Sequence, residues 1–127
     1  QLLPDTPVVE VWFGGKGGEA ELEPGVSIRT KNKRADIWAK MRAWLRGGCI
    51  PASQDLRDDL IGPEYGFDAN QAIELERKEH MKKRGLPSPD HADALACTFA
   101  EPVLPRAVPG YMDPVNYGTG GDRYAEL

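Results

Sequence analysis

The chain has 127 residues, 40% of them hydrophobic and 28% charged, with a formal net charge of −4 at pH 7. That length supports one modest hydrophobic core and is short for two, and the negative balance argues against a protein that coats nucleic acid by general phosphate attraction. No apolar run approaches the about 18 residues of a membrane-spanning helix, and the start carries no signal-peptide pattern, so a soluble, unexported protein is expected.

In chain order, Val8 to Phe13 is rich in β-branched and aromatic residues between turn formers and predicts a buried strand within a sheet. Gly14 to Gly18, with Lys16 at its centre, is faintly phosphate-binding in pattern. No Ser or Thr follows the lysine, however, and Glu19, Glu21 and Glu23 would set negative charge against a phosphate, so a surface loop is the expectation. Residues 14 to 31 read as a long loop with a short extended piece around Val26 and Ile28. From Lys33 to Arg46, Ile37, Trp38, Met41, Trp44 and Leu45 fall at helical spacing and Gly47-Gly48 ends the helix, whose tryptophans are read as core.

Ser53 is placed to cap a short helix through Leu56 and Leu60, with Gly62-Pro63 after it. Tyr65–Phe67 and Ala72–Glu76 flank a turn and predict a β-hairpin in which Glu74 and Glu76 share the opposite face, read as solvated or else as help at a metal site. A short helix from about Lys78 to Arg84 then leads through Gly85 and Pro87 to Ser88-Pro89, where Ser88 suits an N-cap and Pro89 the first helical position. In this last helix Ala92, Leu95, Ala96 and Phe99 form an apolar stripe, while Asp90 and Asp93 share one edge of its first turn.

That pair of acids admits two readings. They can complement the positive end of the helix dipole, or serve as oxygen ligands for Mg²⁺ or Mn²⁺. Basic residues gather in two places, Arg29, Lys31, Lys33 and Arg34, and then Arg77, Lys78, Lys82, Lys83 and Arg84; each reads as a solvated face or as a set of phosphate contacts. Cys49 and Cys97 are expected to be buried thiols, and with His80 and His91 they lack the spacing of a zinc site. The 14 Gly and 11 Pro gather in the Gly14–Gly25 stretch and after Glu101, so residues 105–127 are expected to form a flexible tail, with Tyr111, Tyr117 and Tyr124 as possible anchors on a partner.

Five blocks taken in order, Asn32–Trp38, Trp44–Pro51, Leu56–Tyr65, Ile73–Glu79 and Arg84–Ala100, resemble the C-terminal nuclease region of the large terminase subunit of tailed phages. The resemblance spans roughly two thirds of the chain. It implies an α/β, partial RNase H-like nuclease fold over residues 1–104, with a central strand, a β-hairpin and flanking helices. The implied activity is a two-metal, Mg²⁺- or Mn²⁺-dependent endonuclease that cuts concatemeric double-stranded DNA during genome packaging in the host cytoplasm. Asp93 matches the late helical acid of that site and Asp90 a supporting position. Lys82, Lys83, Arg84, Lys78 and Arg77 are then candidate DNA contacts, and the portal protein and small terminase subunit are implied partners.

The match departs from the family at its start. The family's two other catalytic acids lie upstream of the region where Gln1 falls, and no phosphate loop of an ATPase motor occurs here. Gln1 in place of Met suggests a trimmed piece. Two-metal cleavage needs ions roughly 4 Å apart, which one helix cannot cage, so the chain alone is expected to bind metal weakly and not to cut DNA. A non-catalytic prophage remnant and another RNase H-like nuclease, of resolvase or transposase type, stay open beside this reading.

Overall fold

The computed structural model describes residues 6–103. Over these residues the chain is a small α/β unit with two antiparallel hairpins and four helices. They run in the order β1 (Glu19–Glu23), β2 (Val26–Arg29), α1 (Lys33–Leu45), α2 (Gln54–Ile61), β3 (Tyr65–Phe67), β4 (Ile73–Leu75), α3 (Lys78–Lys83) and α4 (Asp90–Cys97). β1 pairs with β2 and β3 with β4, and the hairpins touch at a parallel bridge between Thr30 and Ile73, where Lys31 N–H donates to the Ile73 carbonyl at 2.9 Å.

The expected strand at Val8–Phe13 is not formed. An extended run becomes a strand only when a neighbour completes its backbone ladder. Among the described residues the backbone bonds begin at its end, from Gly15 N–H to the Trp12 carbonyl and from Arg34 N–H to the Phe13 carbonyl. Val11 and Phe13 still lean on the core, while Val8 and Trp12 are 93% and 74% exposed. Instead, the segment read as a loop holds the β1–β2 hairpin. Its glycines serve packing: a Cβ on Gly17 would lie 2.0 Å from the Thr30 carbonyl oxygen, and Gly18 N–H donates to Thr30 Oγ1 at 2.8 Å.

α1 forms where its apolar spacing predicts. Asn32 caps it, with an extended backbone and a side chain that accepts from Ala35 N–H at 2.9 Å. Its inner face sets Ile37, Trp38 and Met41 against Ala92 and Ala96 of α4, and Ala100 completes the cluster. The alanines, four residues apart and fully buried, let the helices approach closely. Trp38 is core as expected, but Trp44 is 43% exposed, its ring 5.6 Å from that of Phe99. The thiols also differ from expectation, since Cys49 is exposed and Cys97 only partly buried. Burial, and then the charge of Asp93, pushes the Cys97 thiol pKa up.

Ser53 caps α2 as predicted, its Oγ accepting from Leu56 N–H at 3.3 Å. α3 ends in a Schellman motif: Gly85 takes φ +82°, its N–H donates to the Lys82 carbonyl at 3.0 Å, and Leu86 N–H donates to the Met81 carbonyl at 2.9 Å. The start of α4 is built differently from the sequence expectation. Pro89 occupies the cap position and Ser88 Oγ donates to Asp90 Oδ1 at 2.6 Å, so Ser88 does not cap the helix. The first amides are satisfied from another element, with Asp59 Oδ2 of α2 accepting from His91 N–H at 2.8 Å and Ala92 N–H at 3.3 Å. Those two bonds tie α2 to the first turn of α4. The expected tail, residues 105–127 with Tyr111, Tyr117 and Tyr124, lies outside the described residues. Among the described residues no helix is long and apolar enough to cross a membrane.

Candidate functional site at the start of α4

The structure separates the two acids that the sequence sets on one edge. Asp90 faces solvent, its side chain 79% exposed. Asp93, 5% exposed, points between α1 and α3. Its Oδ1 accepts from the indole Nε1 of Trp38 at 2.9 Å and faces Arg34 Nε at 3.4 Å. Its Oδ2 lies 2.8 Å from Lys78 Nζ, the first residue of α3. Three side chains from two elements, α1 and α3, thus converge on one carboxylate of α4.

Arg34 is held as firmly. It is 8% exposed, its Nη1 donates to the Glu76 carbonyl at 2.8 Å, and its guanidinium stands 5.7 Å from the centre of the Trp38 ring. A buried guanidinium needs a compensating charge, and Asp93 is the carboxylate that supplies it. Lys78 is less constrained: its side chain is 36% exposed, and its ammonium lies 4.0 Å from Asp90 Oδ1 and 5.7 Å from the centre of the Phe13 ring. Two side-chain atoms here are buried without a hydrogen bond, Arg34 Nη2 and Asp93 Oδ2. Lys78 therefore compensates Asp93 Oδ2 by charge and proximity rather than through an aligned hydrogen bond.

These residues do not fit a divalent ion as they stand. An Mg²⁺ or Mn²⁺ ion needs free carboxylate oxygens converging from several directions. Here Asp93 is closed by Arg34, Trp38 and Lys78, and Asp90 Oδ1 is taken by Ser88 Oγ. Among the described residues no group of three or more His, Cys, Asp or Glu side chains could hold a metal.

The basic clusters sort just as sharply. The first is spent inside the fold: Arg29 donates to the Asn70 carbonyl, Lys31 pairs with Glu74 at 2.7 Å, Lys33 donates to the Ala100 carbonyl, and Arg34 is buried. In the second, Lys78 is engaged by Asp93, while Arg84 pairs with Glu76 at 2.7 Å and donates to the Gly62 carbonyl. Glu76 was expected in solvent, yet its side chain is 10% exposed, and the Arg84 hydrogen bond foremost lowers its pKa from 4.5 to about 2. Arg77, Lys82 and Lys83 remain exposed, with no carboxylate within 4.0 Å among the described residues.

Sequence reasoning missed the roles of Arg34, Trp38, Asp59 and Glu76. The helical spacing of Arg34 and Trp38 put them on one face of α1, but nothing in sequence names the acid they meet. No family model matches the chain, and neither a curated protein nor a solved structure matches it.

Proposed function

We propose that the chain is a late segment of the nuclease region of a tailed-phage large terminase subunit, an RNase H-like endonuclease acting on double-stranded DNA during packaging. Asp93 and Asp90 are then its acids for the endonuclease site, and the ATPase motor, the portal and the small terminase subunit belong to the wider assembly. The support is the ordered set of sequence blocks that end in Arg84–Ala94. The single structural observation that favours it is the placement of Arg77, Lys82 and Lys83, cations at the cap and the end of α3 that are uncompensated among the described residues and lie on the stretch leading into the acidic turn. In this reading the described residues bind and orient the DNA backbone, since phosphate contacts position a duplex without reading its bases.

A second reading, a non-catalytic module that keeps the fold for association, is favoured by the enclosure of Asp93 by Arg34, Lys78 and Trp38. Duplex binding by the purified chain, followed by fluorescence anisotropy across a salt series, separates the two. The nuclease reading expects measurable affinity that falls with salt. Changing Arg77, Lys82 and Lys83 together to Ala should weaken it and flatten the slope of log K against log salt by about one unit per residue. No duplex binding, or an unaltered slope in the triple variant, would favour the association module. Mn²⁺-dependent plasmid nicking by the chain alone, lost in Asp93→Ala, would overturn the expectation that this segment is inactive by itself.

A further inference from the structure

We infer that Val8–Phe13 is an open strand edge that a second copy of this chain closes, the two runs pairing antiparallel about a two-fold axis at Val11. This holds whatever the chain acts on, independently of the nuclease reading.

The run has the properties of a strand except a neighbour. Val8, Val9 and Val11 are β-branched and Trp12 and Phe13 aromatic, the residue types that suit a pleated, half-buried surface. Val11 and Phe13 pack against the core, while Val8 and Trp12, at 93% and 74% exposure, stand in water. Among the described residues no backbone bond satisfies an N–H group of Val8–Phe13. The Phe13 carbonyl accepts from Arg34 N–H and so turns toward the start of α1. An extended chain directs the N–H and C=O groups of successive residues to opposite edges. Val9 and Val11 therefore share the direction of Phe13, and Val8, Glu10 and Trp12 direct theirs to the outer edge.

Such an edge dictates its occupant, because only another extended backbone repeats donors and acceptors at the matching spacing. Residues 104–127 suit it poorly as a sequence: Pro105, Pro109 and Pro114 lack a ladder donor, and Gly118, Gly120 and Gly121 disfavour a strand. A second copy carries the same unsatisfied edge, and a self-complementary pair closes at two subunits. Charge then fixes the register. A two-fold axis at Glu10 would set that acid directly against its own copy, which is destabilising. An axis at Val11 sets Glu10 against Trp12 and Val9 against Phe13, an aromatic and β-branched pair of the kind that stabilises sheets, and lets the outer-edge groups of Glu10 and Trp12 exchange bonds. A ladder this short buries less than the roughly 1,200 Å² of a standard interface, so the dimer is weak and forms in the micromolar range.

Sedimentation equilibrium of the purified chain, from low micromolar to millimolar concentration, tests this. Wild type should pass from monomer to dimer and stop there. Glu10→Pro deletes an outer-edge donor at an exposed position and should raise the dimer dissociation constant at least about tenfold, whereas Glu10→Ala keeps the donor and should stay within about threefold of wild type. The register is read by charge: residue 12 faces Glu10 of the second copy, so Trp12→Lys should dimerise about tenfold more tightly than Trp12→Glu, by a margin that narrows with salt. Hydrogen exchange on the unaltered chain needs no variant to fold, and the amides of Glu10 and Trp12 should gain protection as concentration rises. A chain that stays monomeric at millimolar concentration overturns the inference. So do assemblies that grow past two subunits, equal losses in Glu10→Pro and Glu10→Ala, or protection that rises elsewhere but not in this run. None of these results depends on DNA binding, so failure here is separable from failure of the nuclease reading.

Discussion

Asp93→Ala is the perturbation that most directly tests the site. The substitution removes a carboxylate that receives Trp38 Nε1 at 2.9 Å and faces Arg34 Nε at 3.4 Å and Lys78 Nζ at 2.8 Å. Arg34, 8% exposed, would keep its bond to the Glu76 carbonyl but lose its compensating charge. Removing one partner of a buried ion pair costs about 3–5 kcal/mol, and an indole N–H left without an acceptor adds about 1 kcal/mol. Lys78 returns to water and adds little. Against a domain stability of about 5–15 kcal/mol, that loss is large.

Urea unfolding followed by circular dichroism should show a much lower midpoint at an unchanged slope. Asp93→Asn, which keeps an acceptor for Trp38 but not the charge, isolates the electrostatic part. The sign carries the argument. Were Asp90 and Asp93 two acids facing an open groove, neutralising one would relieve repulsion and leave stability unchanged or raised. A cost within about 0.5 kcal/mol of zero, the range of ordinary surface substitutions, would refute the enclosed geometry.

Asp59→Ala should destabilise by about 1 kcal/mol, because it removes the side chain that caps α4 from α2; Ser88→Ala, by contrast, should leave the cap intact, and thermal melts of the two variants check this. Glu76 has its pKa depressed from 4.5 to about 2 by its hydrogen bond to Arg84. Its stabilising contribution is therefore full above about pH 4.5 and is lost as the pH falls toward about 2. Glu76→Gln should accordingly be less stable than wild type at neutral pH and nearly equal to it at pH 2, which chemical unfolding across that range reads out. Ile37→Ala empties a fully buried position between α1 and α4 and should cost about 2–5 kcal/mol by the same assay.

Local chemistry was legible for α1, the start of α2 and the second hairpin, though not for the first hairpin, which reads as a loop, or for the cap of α4. The spacing of Ile37, Trp38, Met41 and Leu45 specified α1, Ser53 specified the start of α2, and alternation around the turn at residues 68–71 specified the second hairpin. Each depends on contacts within a few residues, which propensity and periodicity describe well. Val8–Phe13 shows where that stops. Its residues favour an extended backbone, but a strand also requires a partner, and the run alone does not carry one.

The site belongs to the same division. Sequence alone set two aspartates in the first turn of α4 and a basic stretch before it. Only the packing of α1 against α4 determined that Asp93 turns inward, to partners 55 and 59 residues away in Trp38 and Arg34, while Asp90 stays in water. The reason is physical. The character of a charged side chain depends on burial and on the charge opposite it, and both arise from long-range contacts that no local pattern encodes.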